Sequence, residues 1–214
     1  MSSGTAPRRS FFRFRKPATA PTTHPSTIVE EGTAMSRLPL IQPETATGEA
    51  AELLAGVQKA LGVTPNMTKA MVNSPAVLKA YLGFSGALGG GSLGAAIGER
   101  IALLTAQENG CDYCLSAHTY IATNIAKIDG DEATEARAGR SGDVKAQAAL
   151  TFATAVLRTQ GGVEDTDVKA AKEAGLTDGE VAEVIAHVAL NVFTNYLNKA
   201  ADVAIDWPVV RADS

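Results

Sequence analysis

The chain has two cysteines, Cys111 and Cys114, and His118 follows them in the pattern C-x-x-C-x-x-x-H. On a helix each residue turns by about 100°, so these three side chains fall within about 60° of one another on one face. Two thiols on one face can exchange an electron pair by forming a disulfide. An imidazole beside them can take a thiol proton near neutral pH. The pattern therefore predicts thiol-based redox chemistry.

The position of this pattern along the chain favours a reactive thiol. The Asn-Gly pair at 109–110 breaks the preceding apolar run, so a new helix is expected to begin at Cys111. Free backbone N–H groups and the positive end of the dipole at a helix start stabilise a thiolate. Glu99 lies on the preceding helix, and helices joined by a short break pack antiparallel or at a steep angle. We therefore expect Glu99 to approach His118 and complete a Glu–His–Cys relay.

Other interpretations of the same residues remain open. Two cysteines, a histidine and a glutamate are a plausible zinc ligand set by type, but three ligands on one helix face converge poorly on a tetrahedron. We accordingly expect no metal and no other cofactor. If the cysteines were only small core residues, their pairing and their spacing from Glu99 would be coincidence. The residues alone do not decide which cysteine is the nucleophile. Cys111 lies nearer the positive end of the helix dipole, whereas Cys114 lies nearer the imidazole of His118.

The full pattern E-x11-C-x-x-C-x-x-x-H, from Glu99 to His118, resembles the signature of the AhpD-like alkylhydroperoxidases of the carboxymuconolactone decarboxylase superfamily. The segment 187–198 and the closing DWP at 206–208 resemble the peroxidase-related branch of that superfamily. The resemblance spans roughly residues 38–210. It implies an all-α, AhpD-like helical bundle with the C-x-x-C at the start of a central helix.

The resemblance also implies an activity, that of a thiol-dependent peroxidase. By this resemblance Cys114 is the peroxidatic nucleophile and Cys111 the resolving thiol, while His118 acts as the base through water and Glu99 orients it. The implied partners are a hydroperoxide, an external dithiol reductant or thiol carrier protein, and further copies of the chain in a homo-oligomer, trimer or hexamer. The chain departs from the family at Tyr113, since some members carry a histidine immediately before the second cysteine.

Two further functional classes remain open. A carboxymuconolactone decarboxylase-type enzyme would share the fold, but that branch is not built on a C-x-x-C pair. A non-catalytic redox-sensing or metal-binding oligomeric protein would use the same thiols with slow turnover. The rate of peroxide consumption separates these classes from a peroxidase.

Composition limits the remaining possibilities. At 214 residues, with 45% hydrophobic and 5% aromatic content, the chain suits one domain of packed helices. It has no apolar run of the roughly 20 residues that a membrane span needs. The formal charge is −4, but residues 1–29 carry five basic and no acidic side chains, so the rest of the chain is more acidic still, which argues against nucleic-acid binding as the main role. A lone C-x-x-C is not a secreted disulfide framework, so we expect a cytoplasmic protein.

The chain is expected to divide into a tail and one domain. Residues 1–36 are rich in Ser, Thr, Pro and basic side chains without helical periodicity, which predicts a disordered basic tail. Residues 37–214 form the predicted AhpD-like helical domain.

Apolar periodicity and breaker residues predict the helices of this domain. They are expected over residues 44–61, 76–88, 93–108, 112–128, 132–138, 143–159, 165–174 and 178–204. Thr177 and Glu180 resemble a capping box at the start of the last helix. Along that helix one face is polar, formed by His187, Asn191, Asn195 and Asn198. Two roles remain open for these four residues: structural hydrogen bonds in the core or between subunits, and lining of the active-site cavity.

Overall fold

The computed structural model describes residues 36–212, so the predicted tail falls outside the described residues except for Ser36. Within this range the chain is all-α, as predicted. Its helices are α1 (Gly48–Leu61), α2 (Asn66–Met71), α3 (Pro75–Gly89), α4 (Ala95–Glu108), α5 (Asp112–Asn124), α6 (Gly130–Arg137), α7 (Val144–Thr159), α8 (Asp165–Glu173) and α9 (Asp178–Ala201). Among these helices, none has both the length and the apolar character needed to cross a membrane.

Local capping chemistry sets two of the helix starts that the sequence predicted. The Asp143 side chain accepts a hydrogen bond from the N–H of Ala146 at 2.8 Å and so begins α7. Thr177 and Glu180 cap each other reciprocally at the start of α9, which is 24 residues long.

Three predicted helix boundaries are wrong, and local backbone geometry explains each one. The chain turns at residues 42–46, so α1 begins at Gly48 instead of residue 44. The cysteine helix α5 stops at Asn124 instead of residue 128, because the chain unwinds through Lys127 at a φ of 57° and returns Ile128 to the core. Helix α9 stops at Ala201, where Asp202 takes the left-handed conformation.

Helix α4 forms the centre of the fold. It packs against α5, α6, α7 and α9, and every residue from 101 to 106 along it is buried. Helix α5, with the cysteines at its start, packs on this central helix. A smaller cluster of Leu54, Met71, Val72 and Leu78 joins the first three helices. The helix that carries Glu99 is therefore fixed by the core on most of its sides.

Helices α4 and α9 approach closely at a glycine. A Cβ atom on Gly98 would lie 2.8 Å from Cε1 of His187, which is too near for any side chain. The absence of a side chain at Gly98 thus lets the imidazole of His187 rest on the backbone of α4. This contact places the polar face of α9 next to Glu99.

The segment after α9 returns over the start of α5. The N–H of Val210 donates to Oγ of Ser116 at 2.9 Å, and that of Ala212 donates to Asp112 at 3.0 Å. Asp206 accepts from the backbone N–H of Asn66 at 2.8 Å. The C-terminal segment therefore covers the start of α5, where the cysteines lie.

Candidate active site

The turn between α4 and α5 positions Cys111 at a helix start. Gly110 has a φ of 58°, a conformation that glycine adopts without strain, and the N–H of Cys111 donates back to Ala106 at 2.9 Å. Cys111 is then the N-cap of α5, and its Sγ accepts the N–H of Cys114 at 3.3 Å. The Asn-Gly pair in the sequence thus ends one helix and begins the next with a sulfur at the positive end of the dipole.

The two cysteines are joined by a disulfide in the structure, with their Cα atoms 5.3 Å apart. Both residues are buried, at 1% and 3% exposure. The spacing of three residues therefore brings the sulfurs together as the sequence indicated. This arrangement lets a thiol on either residue reach a sulfur of the other without rearrangement of the helix.

Glu99 and His118 form a close pair beside this helix start. Oε2 of Glu99 lies 2.8 Å from Nδ1 of His118, and the two side chains are 20% and 21% exposed. A carboxylate at Nδ1 favours the tautomer that carries its proton there, which leaves Nε2 as the acceptor. His118 follows Cys114 by one helical turn, so the pair that can hold and release a proton lies on the same helix as the cysteines.

Asn198 is a site residue whose contact the sequence did not reveal. Its Nδ2 lies 3.3 Å from Sγ of Cys114 and 3.3 Å from Sδ of Met67, and the residue is only 3% exposed. Its Oδ1 is buried and has no hydrogen-bond partner among the described residues. The signal for this role was the polar face of α9, but periodicity alone could not say which of its members reaches the sulfur.

The other polar residues of that face of α9 make different contacts. Asn195 accepts from the side chain of Asn109 at 2.9 Å, and Asn191 donates to the carbonyl of His187 at 2.9 Å. Burial lowers the pKa of His187, against the opposing effect of nearby carboxylates. These bonds are internal to the fold, so Asn198 is the member of the set that contacts a cysteine.

Tyr113, between the cysteines, binds the C-terminal segment. Its hydroxyl donates to Asp206 at 2.8 Å and accepts from the backbone N–H of Met67 at 3.0 Å and from Nε1 of Trp207 at 3.4 Å. Burial, with the charge of Asp206, raises the pKa of Tyr113 well above its usual range. The hydroxyl therefore stays protonated near neutral pH, so it does not exchange a proton there as a histidine would.

Among the described residues, neither a cluster of metal ligands nor the groove between α7 and α8 coincides with the cysteines. Within residues 36–212, no three His, Cys, Asp or Glu side chains are grouped so as to hold a metal ion. A groove of about 500 Å³ lies between α7 and α8, is lined by alanines together with other apolar and polar side chains, and includes none of the predicted site residues. The expectation that the protein binds no metal remains a prediction for elemental analysis.

Residues 75–155 match the model of the carboxymuconolactone decarboxylase family. This segment contains Glu99, both cysteines and His118. No curated protein sequence matches the chain.

Solved structures of the same fold match a larger part of the chain than the family model does. The alkylhydroperoxidase AhpD core, an uncharacterized peroxidase-related protein from Ralstonia eutropha JMP134, has a TM-score of 0.71 at 22% identity, with 82% of this chain and 94% of that chain covered. An uncharacterized peroxidase-related protein from Silicibacter sp. TM1040 has a TM-score of 0.71 at 21% identity, with the same coverage of 82% and 94%. A variant of the debrominase Bmp8 in complex with 2,3,4-tribromopyrrole has a TM-score of 0.66 at 20% identity, with coverage of 82% and 93%. Residues 75–155 thus match the carboxymuconolactone decarboxylase family model, and the chain as a whole has the fold of these AhpD-like structures.

Proposed function

We propose that the protein is a thiol-dependent peroxidase that reduces hydroperoxides, an antioxidant activity. The observation that carries the proposal is the Cys111–Cys114 disulfide at the start of α5, together with the Glu99–His118 pair, whose histidine follows Cys114 by one turn of the same helix. A dithiol supplies the two electrons that O–O cleavage needs, and the imidazole pair supplies proton transfer. No cofactor is required for either step.

In the first step the thiolate of Cys114 attacks the distal oxygen of the hydroperoxide. An S–O bond forms as the O–O bond breaks, so Cys114 becomes a sulfenic acid and an alkoxide leaves. The alkoxide takes a proton, directly or through water, from the imidazolium of His118 that earlier accepted the thiol proton. Glu99 holds the ring and stabilises its charged form during this transfer.

In the second step the thiolate of Cys111 attacks the sulfur of the sulfenic acid. The disulfide forms, hydroxide leaves and is protonated to water, and the cysteines reach the bonded state seen in the structure. An external dithiol, free or on a thiol carrier protein, then reduces the disulfide by exchange. The helix-start position of Cys111 favours its thiolate, which suits a resolving thiol.

We assign the nucleophile to Cys114 on the position of His118, on one side-chain contact and on the family resemblance. His118 lies one helical turn after Cys114, and the amide of Asn198 donates to its sulfur. By contrast, Sγ of Cys111 accepts a backbone N–H within its own helix. Among the described residues, the sulfur of Cys114 is therefore the one that accepts a hydrogen bond from a side chain on another helix.

We also propose a homo-oligomer, trimer or hexamer, as the family resemblance implies. Large apolar side chains lie partly exposed on two helices: Phe84 on α3, and Ile185, Phe193 and Tyr196 on α9, each at least 40% exposed. Burial of such side chains between subunits would be favourable. Light scattering of the full chain at several concentrations measures the assembly.

A coupled assay tests the peroxidase proposal. Consumption of an organic hydroperoxide is followed with several dithiol donors for the wild type, Cys114→Ser and Cys111→Ser. We expect turnover in the wild type, none in Cys114→Ser, and a single round without turnover in Cys111→Ser. Turnover that survives Cys114→Ser would contradict the proposal.

A second substrate class belongs in the same assay, because one protein of this fold is named a debrominase. A dithiol can also supply two electrons for replacement of a carbon–bromine bond by carbon–hydrogen, with release of bromide. Brominated pyrroles are therefore tested beside hydroperoxides. Bromide release that exceeds peroxide reduction would favour a reductive debrominase that uses the same thiols.

A further inference from the structure

We propose that the side-chain amide of Asn198 is a catalytic group for the peroxide step. Its Nδ2 stabilises the thiolate of Cys114, and its Oδ1 accepts the hydroxyl hydrogen of the hydroperoxide and then of the sulfenic acid. This inference rests on the proposed peroxidase function. It adds a residue on α9 to a site otherwise built from α4 and α5.

The orientation of the amide follows from the chemistry of its neighbours. The disulfide sulfur of Cys114 and the thioether of Met67 carry no hydrogen, so both can only accept. The amide nitrogen must therefore face them, at 3.3 Å from each sulfur. The same N–H group meets a stronger acceptor when Cys114 is a thiolate, because hydrogen bonds to charged groups are stronger than those to neutral groups.

The opposite end of the amide is the second observation. Oδ1 of Asn198 is buried without a hydrogen-bond partner among the described residues, on a side chain only 3% exposed. Two other buried atoms there share this property, Oγ1 of Thr119 and Nδ2 of Asn195, but neither side chain is hydrogen-bonded to a cysteine sulfur. A buried acceptor that has no donor destabilises the fold. We therefore interpret the Oδ1 atom of Asn198 as an acceptor that is used in another state of the site.

The proposed reaction supplies a donor in the states that precede the disulfide. When Cys114 attacks the distal oxygen, that oxygen keeps its hydrogen, and the electron pair of the broken O–O bond leaves with the alkoxide. The hydrogen on the distal oxygen can donate to Oδ1 of Asn198 throughout, because this oxygen becomes the sulfenic hydroxyl. When Cys111 displaces it as hydroxide, Oδ1 loses its donor. The unpartnered Oδ1 beside the disulfide is the arrangement that this sequence of steps leaves.

The two roles of the amide have separate kinetic signatures. Loss of the N–H donor raises the pKa of Cys114 and affects every reagent that needs the thiolate. Loss of the acceptor slows the reaction with a hydroperoxide, which carries an O–H, even when the thiol is fully ionised. Iodoacetamide alkylates the same thiolate but has no hydroxyl to donate. The rates of the two reagents against pH, each followed to its high-pH plateau, therefore separate donor from acceptor.

The test uses the full chain with Cys111→Ser, which stops the reaction at the sulfenic acid. Asn198→Leu removes both polar atoms at similar volume, and Asn198→Asp keeps an acceptor but replaces the donor by an oxygen. Asn191→Leu is the matched control, because Asn191 is equally buried on the same helix and its amide bonds only within that helix. Rates with iodoacetamide and tert-butyl hydroperoxide are measured for each variant that melts cooperatively.

We expect Asn198→Leu to raise the pKa of Cys114 by about one unit, or about tenfold in thiolate fraction at neutral pH. Its plateau rate with the hydroperoxide should fall about tenfold, while its plateau alkylation rate changes less than about threefold. Asn191→Leu should match the parent in all three quantities. Asn198→Asp should raise the pKa further because its charge opposes the thiolate, and it serves as the test if the leucine variant does not fold.

Two results would overturn the proposal. An unchanged pKa in both Asn198 variants would remove the donor role, and a parallel fall of both plateau rates would remove the acceptor role. If the parent protein reacts with no hydroperoxide, the proposed function fails. The alkylation profiles then still decide whether Asn198 stabilises the thiolate, so the two failures are distinguishable.

Discussion

The carboxylate of Glu99 lies 2.8 Å from the imidazole of His118, although the residues are 19 positions apart and belong to different helices. Glu99 lies on α4, whose next residues, 101–106, are all buried, so the core holds the backbone that carries this carboxylate. His118 is held by α5, the helix that carries the cysteines. The contact therefore couples the orientation of the ring to the central helix of the fold.

Replacement of Glu99 by glutamine tests this coupling. Glu99→Gln keeps the shape and a hydrogen bond but removes the charge that stabilises the imidazolium. We expect an intact fold and a rate of peroxide-driven oxidation of Cys114 lowered by about ten- to a thousandfold. The apparent pKa of the Cys114 thiol, measured by alkylation rate against pH, should rise.

Glu108→Gln is the control for this variant. Glu108 lies at the end of the same helix, in a loose ion pair with Arg158 at 3.8 Å. It should leave both the oxidation rate and the alkylation profile unchanged. A shifted profile in His118→Gln beside an unchanged one in Glu99→Gln would confine the relay to α5 and make Glu99 a structural residue.

The cysteine pair should cycle between dithiol and disulfide in solution. Mild hydroperoxide should lower the mass of the reduced protein by two hydrogens, and a dithiol should restore it. Cys111→Ser should instead accumulate a sulfenic acid at Cys114, trapped by a reagent specific for that group. If both cysteines of the wild type proceed separately to sulfinic acid, Cys111 is not the resolving thiol.

The local parts of this site were predictable from the sequence. The Asn-Gly pair at 109–110 predicted a new helix at Cys111, and spacing predicted that the sulfurs meet, because both follow from backbone geometry over a few residues. Contact between Glu99 and His118 required only that two successive helices pack against each other. The whole of this pattern, from Glu99 to His118, lies on two successive helices.

The contacts that were missed join distant parts of the chain. Asn198 reaches Cys114 across 84 positions, and Tyr113 reaches Asp206 across 93. The periodicity of the sequence identified the polar face of α9. It did not give the rotation of α9 relative to α5, which depends on how His187 packs on Gly98. The end of α5 was also predicted wrongly, because burial of Ile128 in the core requires the helix to end before residue 128.

Acid should destabilise the protein in part through Glu180. A hydrogen bond from Lys145, with those from Thr177, lowers the pKa of Glu180 to about 2. In the unfolded chain the pKa of a glutamate is about 4.3. The stabilisation that Glu180 contributes is therefore fully present above about pH 4.3 and is lost as the pH falls toward 2. The difference in free energy of unfolding between wild type and Glu180→Gln should therefore be constant from pH 7 to about pH 5 and shrink below it.

Urea titrations at a series of pH values measure this difference. Asp178→Asn is the control, because Asp178 begins the same helix but its side chain is 84% exposed in its pair with Lys172. An exposed pair stabilises little, so this variant should follow the wild-type curve closely. A wild-type advantage over Glu180→Gln that persists unchanged at pH 3 would show that the capping box does not depend on the charge.

The last prediction concerns Tyr113, which lies between the two cysteines. Tyr113→Phe removes one hydroxyl that donates to Asp206 and accepts from Met67 and Trp207. Loss of a buried hydroxyl that leaves its partners unpaired should lower the free energy of unfolding by about 1–3 kcal/mol. Because Trp207 is the chain's one tryptophan, its fluorescence should change as the C-terminal segment loosens.

Tyr120→Phe is the matched control for this change. Tyr120 lies on the same helix and its ring centroid is 5.4 Å from that of Trp207, but its side chain is largely exposed and the substitution keeps the ring contact. It should leave stability and fluorescence close to wild type. Since the hydroxyl of Tyr113 stays protonated near neutral pH, Tyr113→Phe should lower stability while the pH profile of Cys114 alkylation keeps its shape. A profile that shifts with Tyr113→Phe but not with Tyr120→Phe would instead give Tyr113 a direct part in proton transfer at the cysteines.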